Sequence, residues 1–122
     1  MTILDEQLES LLSETEAHDD KKIYCRLCRA LITTRAERFQ VGPYDKYSFT
    51  NPAGITYAIA CYKHAHGCTI SGIPTTEHSW FSGYQWQLAS CTDCHEHLGW
   101  YYENRKRAFF GLIVSRVIES VD

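Results

Sequence analysis

No stretch of this 122-residue chain approaches the ~18 consecutive apolar residues that a membrane-crossing helix requires. The N-terminus also lacks a secretion signal, because Met1-Thr2-Ile3-Leu4 runs straight into Asp5 and Glu6. Together these absences lead us to expect a soluble, cytoplasmic protein with no membrane partner. No internal repeat or low-complexity segment is present. Basic residues are not gathered on one element. Residues 1–20 hold seven acids and no Lys or Arg, leaving eight acids against all twelve Lys and Arg in residues 21–122. A nucleic-acid binder needs a concentrated basic face, so none is expected as a partner. The basic run in Glu103-Asn104-Arg105-Lys106-Arg107 has no second cluster to support it and reads as a charged hairpin turn. Without a secretory context, the six cysteines point to reduced thiols and metal rather than to disulfides.

What is present fits one domain. A chain of this length buries only about two-thirds of its unfolded surface, so a metal staple would add materially to stability. Residues 1–20 form an acidic leader, either a short helix (Leu4, Leu8, Leu11 and Leu12 recur at helical spacing) or a flexible extension. Asp19-Asp20-Lys21-Lys22 marks the boundary of a folded unit over residues 21–122. From Ile23 onward the pattern is β. Strands are expected around Arg38-Phe39-Gln40-Val41, Tyr47 to Thr50, Ile55 to Ala60, Tyr84 to Ser90 and Trp100 to Tyr102, with a last apolar strand from Phe109 to Ile118. Asn51-Pro52-Ala53-Gly54 is a turn signal. Alternation places Tyr84, Trp86 and Leu88 on one face of their strand, and Trp100 and Tyr102 on one face of theirs.

Two Cys-x-x-Cys pairs, Cys25-Arg26-Leu27-Cys28 and Cys91-Thr92-Asp93-Cys94, lie 63 residues apart. Four thiolates fill a tetrahedral zinc shell and leave no position for water or substrate, so one structural Zn2+ is expected. Lys21, Lys22, Arg26 and Arg29 flank the first pair and could offset the net negative charge of such a site. His95 and His97 are competing ligands by position. Cys61, His64, His66 and Cys68 form a second thiol–imidazole group whose spacing matches no standard zinc motif, and small strand residues around a hairpin are the simpler account.

All three tryptophans, Trp80, Trp86 and Trp100, fall between residues 80 and 100, interleaved with the second cysteine pair. In a small β-domain such residues are usually core. Held on a pinned frame, they would equally serve as a binding cage. The stretch Glu77-His78-Ser79-Trp80-Phe81-Ser82-Gly83-Tyr84-Gln85-Trp86, followed by Cys91, Cys94 and His97-Leu98-Gly99-Trp100, resembles the CULT domain, the thalidomide-binding domain of cereblon, in the form of its single-domain bacterial-type members. Cys25, Cys28 and Asn51-Pro52-x-Gly54 match as well, so the resemblance covers about residues 23–120.

The resemblance implies an all-β fold of two antiparallel sheets at a steep angle, pinned by the structural zinc, the β-tent. It implies a non-enzymatic module whose Trp80, Trp86 and Trp100 form three walls around a small ring, with Tyr102 at the base. Asn51, Pro52, Tyr57, His78 and Ser79 would line the rim, and the backbone of His78 and Trp80 would bond an imide edge. The ligands implied are cyclic imides: glutarimide, succinimide, thalidomide-type molecules and cyclised C-terminal Gln or Asn on a protein or peptide, with uracil-like rings sharing the same polar edge. The Lon-like domain and adaptor-docking segment of full-length cereblon have no counterpart in this sequence, so a ubiquitin-ligase adaptor is not an expected partner.

Two other classes compete. Aromatic cages also read methylammonium groups through cation–π attraction, and Glu77 would be the nearby carboxylate. Methionine sulfoxide reductases of the B type share a zinc-pinned fold with two Cys-x-x-Cys pairs. They need a reactive cysteine on a late strand, and residues 100–118 contain none, so Cys61 or Cys68 would have to serve.

Overall fold

A computed structural model describes residues 21–38, 40–44 and 46–120. The acidic leader lies outside the described residues. The described chain is all β apart from two 3-10 turns. Nine strands follow in order: β1 (Lys22–Cys25), β2 (Leu31–Thr34), β3 (Lys46–Thr50), β4 (Thr56–Tyr62), β5 (Cys68–Thr75), β6 (Gln85–Cys91), β7 (His97–Glu103), β8 (Ala108–Ile113) and β9 (Val117–Glu119). They form two antiparallel sheets, one of three strands in the order β2-β1-β9 and one of six in the order β3-β4-β8-β7-β6-β5.

The expected strand from Tyr47 to Thr50 is β3, that from Ile55 to Ala60 is β4, and that from Tyr84 to Ser90 is β6, each within a residue or two. Two expectations are corrected. Among the described residues of 38–41 no strand is found: Arg38 makes a single bridge to Tyr62, Phe39 lies outside the described residues, and Gln40 and Val41 belong to no strand. The alternation there is too short to hold a ladder before Gly42-Pro43. The apolar run from Phe109 to Ile118 is two strands, not one. A 3-10 turn over Val114–Arg116 carries the chain out of the six-stranded sheet, where β8 lies between β4 and β7, and delivers β9 to β1 in the other sheet. Apolar periodicity does not reveal this break, because neither Gly nor Pro marks it. The charged stretch from Glu103 is a hairpin turn, closed by the Asn104 amide donating to the Arg107 carbonyl (2.9 Å).

Alternation along the strands sends side chains to two cores. Ala60, Tyr62, Ala89, Cys91, Leu98, Phe110 and Leu112 join Ile23, Cys25 and Ile32 between the sheets. Ile59, Cys61, Trp100, Tyr102, Phe109 and Ile113 join Phe81 and Tyr84 on the other face. A bulge sets the phase of β7. Ala89 faces Gly99 while Ser90 faces His97, which leaves Leu98 as the extra residue. Leu98 therefore turns inward between the sheets, while Trp100 and Tyr102 take the aromatic face. Gly99 is required there. A Cβ on it would lie 2.0 Å from the Gly111 carbonyl oxygen.

Candidate functional site

The two Cys-x-x-Cys turns fold alike. Each closes a β-hairpin, one between β1 and β2, the other between β6 and β7. In the first, the Cys25 amide donates to the Ala30 carbonyl (2.9 Å) and the Arg29 amide to the Cys25 carbonyl (2.9 Å). In the second, the Cys91 amide donates to Glu96 (2.8 Å) and the His95 amide to Cys91 (2.8 Å). The residue after each second cysteine, Arg29 or His95, sits at φ 67°, the left-handed turn that lets both sulfurs of a pair point the same way. The four Sγ atoms lie within 4.8 Å of one another, with Cys25 to Cys94 at 3.6 Å and Cys28 to Cys91 at 3.5 Å. Sulfurs about 2.3 Å from one tetrahedral ion stand roughly 3.8 Å apart, close to these spacings.

Backbone amides converge on the same sulfurs: Ala30 on Cys28, Glu96 on Cys94, and Cys94 and Asp93 on Cys91. Such donors favour thiolates, the form a metal takes. The four cysteines can therefore hold one metal ion, and it would join the three-stranded sheet to the six-stranded one. Neither His95 nor His97 belongs to the group. Among the described residues, Cys61, His64, His66 and Cys68 gather no ion-binding set either. Cys61 faces the aromatic core and Cys68 the core between the sheets, while the exposed His64 and His66 rings stack on each other at 5.7 Å. Burial pushes both thiols up to about 12.

The aromatic face of the six-stranded sheet carries a cleft of about 280 Å³ lined by Asn51, Pro52, His78, Trp80, Trp86, Trp100 and Tyr102. Register places Trp86 opposite Tyr102, and Leu88 opposite Trp100, so Trp86 and Trp100 are diagonal neighbours on one face. Trp80 arrives from the β5–β6 loop. Its ring stacks on Phe49 of β3 (5.0 Å between centroids, 11°) and meets Trp100 edge-on (4.8 Å, 76°). Phe81 anchors that loop by packing on Tyr102 (4.8 Å), Phe109 (5.0 Å) and Tyr47 (5.3 Å). The Trp86 indole N–H donates to the Glu77 carbonyl (2.7 Å) and ties the loop to the sheet.

Asn51 and Pro52 come from the β3–β4 turn. The Asn51 side-chain carbonyl accepts from the Ile55 amide (2.9 Å), leaving its NH2 as the end open to a ligand. Tyr102 and Trp100 are largely buried, whereas Trp80 and Trp86 are only half-buried. The cage thus has a closed floor and an open rim. Burial raises the Tyr102 phenol, which stays protonated at neutral pH.

The remaining two sequence-derived candidates lie behind the lining. Tyr57 packs against the backs of Trp100 (5.4 Å) and Trp80 (6.1 Å). The Ser79 hydroxyl donates to the Phe81 carbonyl (3.0 Å) and its amide to Thr76 (3.2 Å). By contrast, among the described residues no hydrogen bond uses the His78 carbonyl or the Trp80 amide and carbonyl. His78 itself is held at φ 57°. Sequence reasoning missed Phe49 and Phe81 as props. It also missed His97, whose ring meets Trp100 edge-on at 4.9 Å while Nε2 bonds the Gly99 carbonyl (2.8 Å). Since that carbonyl can only accept, Nε2 carries the proton. The alternation of Tyr47 and Phe49 was the available signal for Phe49. Nothing in the local sequence singles out His97.

These features define a class: a small two-sheet β-domain with a four-thiol metal pin on one face and an aromatic cleft on the other. Comparisons with known proteins give its kin. No family model matches the chain. It is 35% identical to cereblon of Gallus gallus (80% of this chain, 23% of that protein), 33% identical to cereblon of Drosophila willistoni (81% and 18%) and 31% identical to cereblon of Danio rerio (80% and 24%). The chain spans about a fifth of the length of the curated relatives it matches. It is a CULT-type domain, homologous to one segment of cereblon. Among the described residues no helix is long and apolar enough to cross a membrane.

Proposed function

We propose that this domain is a non-enzymatic, cytoplasmic binding module for cyclic imides, with zinc as the ion in its four-cysteine site. One observation carries the reading: three indoles wall a small cleft beside the His78 carbonyl and the Trp80 amide and carbonyl, for which no hydrogen-bond partner is found among the described residues. A glutarimide ring has methylene edges and one polar edge of C=O, N–H and C=O. Indole faces suit the methylenes, and an unpartnered carbonyl and amide suit the polar edge. A ring without the N–H would leave a buried carbonyl unsatisfied and be rejected sharply. With about eight heavy atoms the ligand's affinity is capped, and micromolar binding, near −8 kcal/mol, is the expected scale. Natural ligands of this chemistry include protein or peptide C-termini cyclised at Gln or Asn, and uracil-like rings carry the same edge.

The competing classes lack support of this kind. Among the described residues no carboxylate lines the cleft, and exposed Glu77 instead faces His78 at 3.7 Å, which leaves a methylammonium without its usual counter-ion there. A sulfoxide reductase needs a thiolate, and Cys61 and Cys68 are both held as thiols up to about pH 12. Titrating tryptophan emission with glutarimide, N-methylglutarimide and tetramethylammonium tests the proposal in the wild type and in Trp100→Ala. Saturable quenching by glutarimide alone, abolished in the variant, is the expected result. Equal response to the N-methylated ring, or response to the ammonium instead, would refute it.

A further inference from the structure

The cleft's rear wall converges on one side chain outside it. Arg116 sits in the 3-10 turn that carries the chain from one sheet to the other. Its NH1 donates to the His97 carbonyl at 2.7 Å. That carbonyl stands beside the Leu98 bulge, where the ladder between β6 and β7 is interrupted and a backbone oxygen needs a donor from elsewhere. The same guanidinium lies 5.8 Å from the centroid of the Tyr57 ring. The Arg116 carbonyl accepts from the Arg26 amide (3.0 Å), inside the first cysteine turn.

His97 and Tyr57 are two rings that brace Trp100, edge-on at 4.9 Å and 5.4 Å, and Tyr57 also backs Trp80. One arginine therefore holds both braces and is itself held by a metal-binding turn. We infer that Arg116 is a positioning residue for the aromatic cleft: it fixes the angle between Trp80 and Trp100 by clamping Tyr57 and the His97 backbone to the cysteine turn. Its hydrogen bonds and ring contact go to His97, Arg26 and Tyr57, none of which lines the cleft, so it acts through its neighbours. The consequence for ligand affinity rests on the cyclic-imide reading, whereas the consequence for indole geometry does not.

The experiment uses the metal-loaded protein and compares wild type, Arg116→Met, Tyr57→Leu and the double variant, well below their unfolding midpoints. The first readout is the excitonic circular-dichroism couplet of the Trp80–Trp100 pair, which depends on the angle between the indoles and not on global stability. The second is glutarimide affinity by fluorescence quenching, and the third is the metal-to-protein ratio. In Arg116→Met the couplet should fall at least twofold and affinity about tenfold, the scale of one lost charge-assisted hydrogen bond, with the metal ratio unchanged. The double variant should be no worse than the worse single one. A wild-type couplet in folded Arg116→Met, or fully additive losses in the double variant, would overturn the inference. Should Arg116→Met not fold, Arg116→Gln decides, since its amide stays polar but ends two bonds short of the guanidinium nitrogen that bonds the His97 carbonyl and carries no charge over Tyr57. A reduced couplet there supports the clamp and an unchanged one refutes it. A couplet that falls in a protein whose wild type ignores glutarimide would sink the imide reading and leave the clamp standing.

Discussion

On one face of the six-stranded sheet, Ala89, Leu98 and Leu112 are fully buried beneath a second sheet, and four cysteines from the two sheets meet in a group able to hold a metal ion. On the other, Tyr102 and Phe109 are as deeply buried, but the rings above them, Trp80 and Trp86, stay half open. The same strands build both faces, since consecutive residues such as Ala60 and Cys61, or Phe109 and Phe110, go to opposite sides. The difference is in what closes each face. The cysteine face is closed by chain, through contacts between residues some 60 to 70 positions apart whose four thiols can hold an ion. The aromatic face is closed by one loop, Thr76 to Tyr84, and only over its base. An incompletely covered aromatic face costs stability, because half-exposed indoles forgo part of their burial energy. The comparison teaches that the pinned face offsets that cost, so that a preformed cleft can remain open without the sheet deforming to fill it.

The strongest way to break this arrangement is to remove the pin. Chelating the metal, or making Cys91→Ser, leaves buried thiols without their ion and uncouples the two sheets. We expect a loss of several kcal/mol, a large share of the ~5–15 kcal/mol that holds a domain of this size. Melting followed by near-ultraviolet circular dichroism should show the aromatic signal lost together with the backbone signal. An aromatic face that kept its full signal after chelation would mean that the two faces are independent, and the comparison would fail.

A smaller perturbation separates the faces. Gly99 and Gly111 are diagonal neighbours across β7 and β8, Gly99 pairing with Leu112 and Gly111 with Trp100. In Gly99→Ala the new methyl would meet backbone, the Gly111 oxygen at 2.0 Å and the Leu112 Cα at 2.9 Å, so a strand must move. In Gly111→Ala it would meet side chains rather than backbone, the Ile59 Cγ2 at 2.9 Å and the Tyr102 Cε2 at 3.1 Å, so those two residues must give way. Overpacking of the second kind costs about 1–3 kcal/mol, and the first should exceed it. Denaturant midpoints give the ranking. Gly111→Ala should also disturb ligand quenching through Tyr102 while leaving metal retention intact, and the reverse ranking would show that the bulge is not the rigid point of β7.

Much of this division could be read from the chain itself. The cysteine spacing announced the metal pin, because Cys-x-x-Cys turns at two places can close one shell. The indoles announced the cleft through their density and through a family resemblance. Strands with clean alternation, such as Tyr47 to Thr50, fell where the pattern put them. What stayed hidden depends on long-range geometry. The break between Ile113 and Val117 has neither Gly nor Pro to mark it, only Ser115, since the crossing is driven by β1 offering an edge to β9. Arg29 and His95 adopt a left-handed turn that glycine usually signals, and here the cysteine geometry imposes it. The bulge at Leu98, which turns Trp100 toward the cleft, exists only once β6 lies beside β7. Tyr57 carried no local sign that it would stand behind the indoles rather than among them.

The smallest expected effect tests the junction of the two faces, at His97. Burial is the largest influence on its imidazole and lowers its proton affinity from the ordinary value of 6.5; the Gly99 carbonyl opposes this, and the Arg116 charge adds to it. Because the folded ring titrates below the unfolded one, the unfolded chain binds more protons between the two values, and stability must rise with pH across that window. The contribution is fully present above 6.5 and is lost as pH falls from there toward the folded value. Thiolates of the metal pin also protonate in acid and destabilise the fold, so the slope of wild type alone does not isolate His97. His97→Asn removes the titrating ring and keeps an amide donor for the Gly99 carbonyl. Denaturant midpoints of the two proteins should therefore draw closer as pH falls through and below 6.5, with wild type losing the advantage it holds at neutral pH. Parallel curves would mean that His97 is not shielded as its contacts with Trp100 and Arg116 require, and the ring would then be a solvent-facing neighbour of the cleft rather than part of its rear wall.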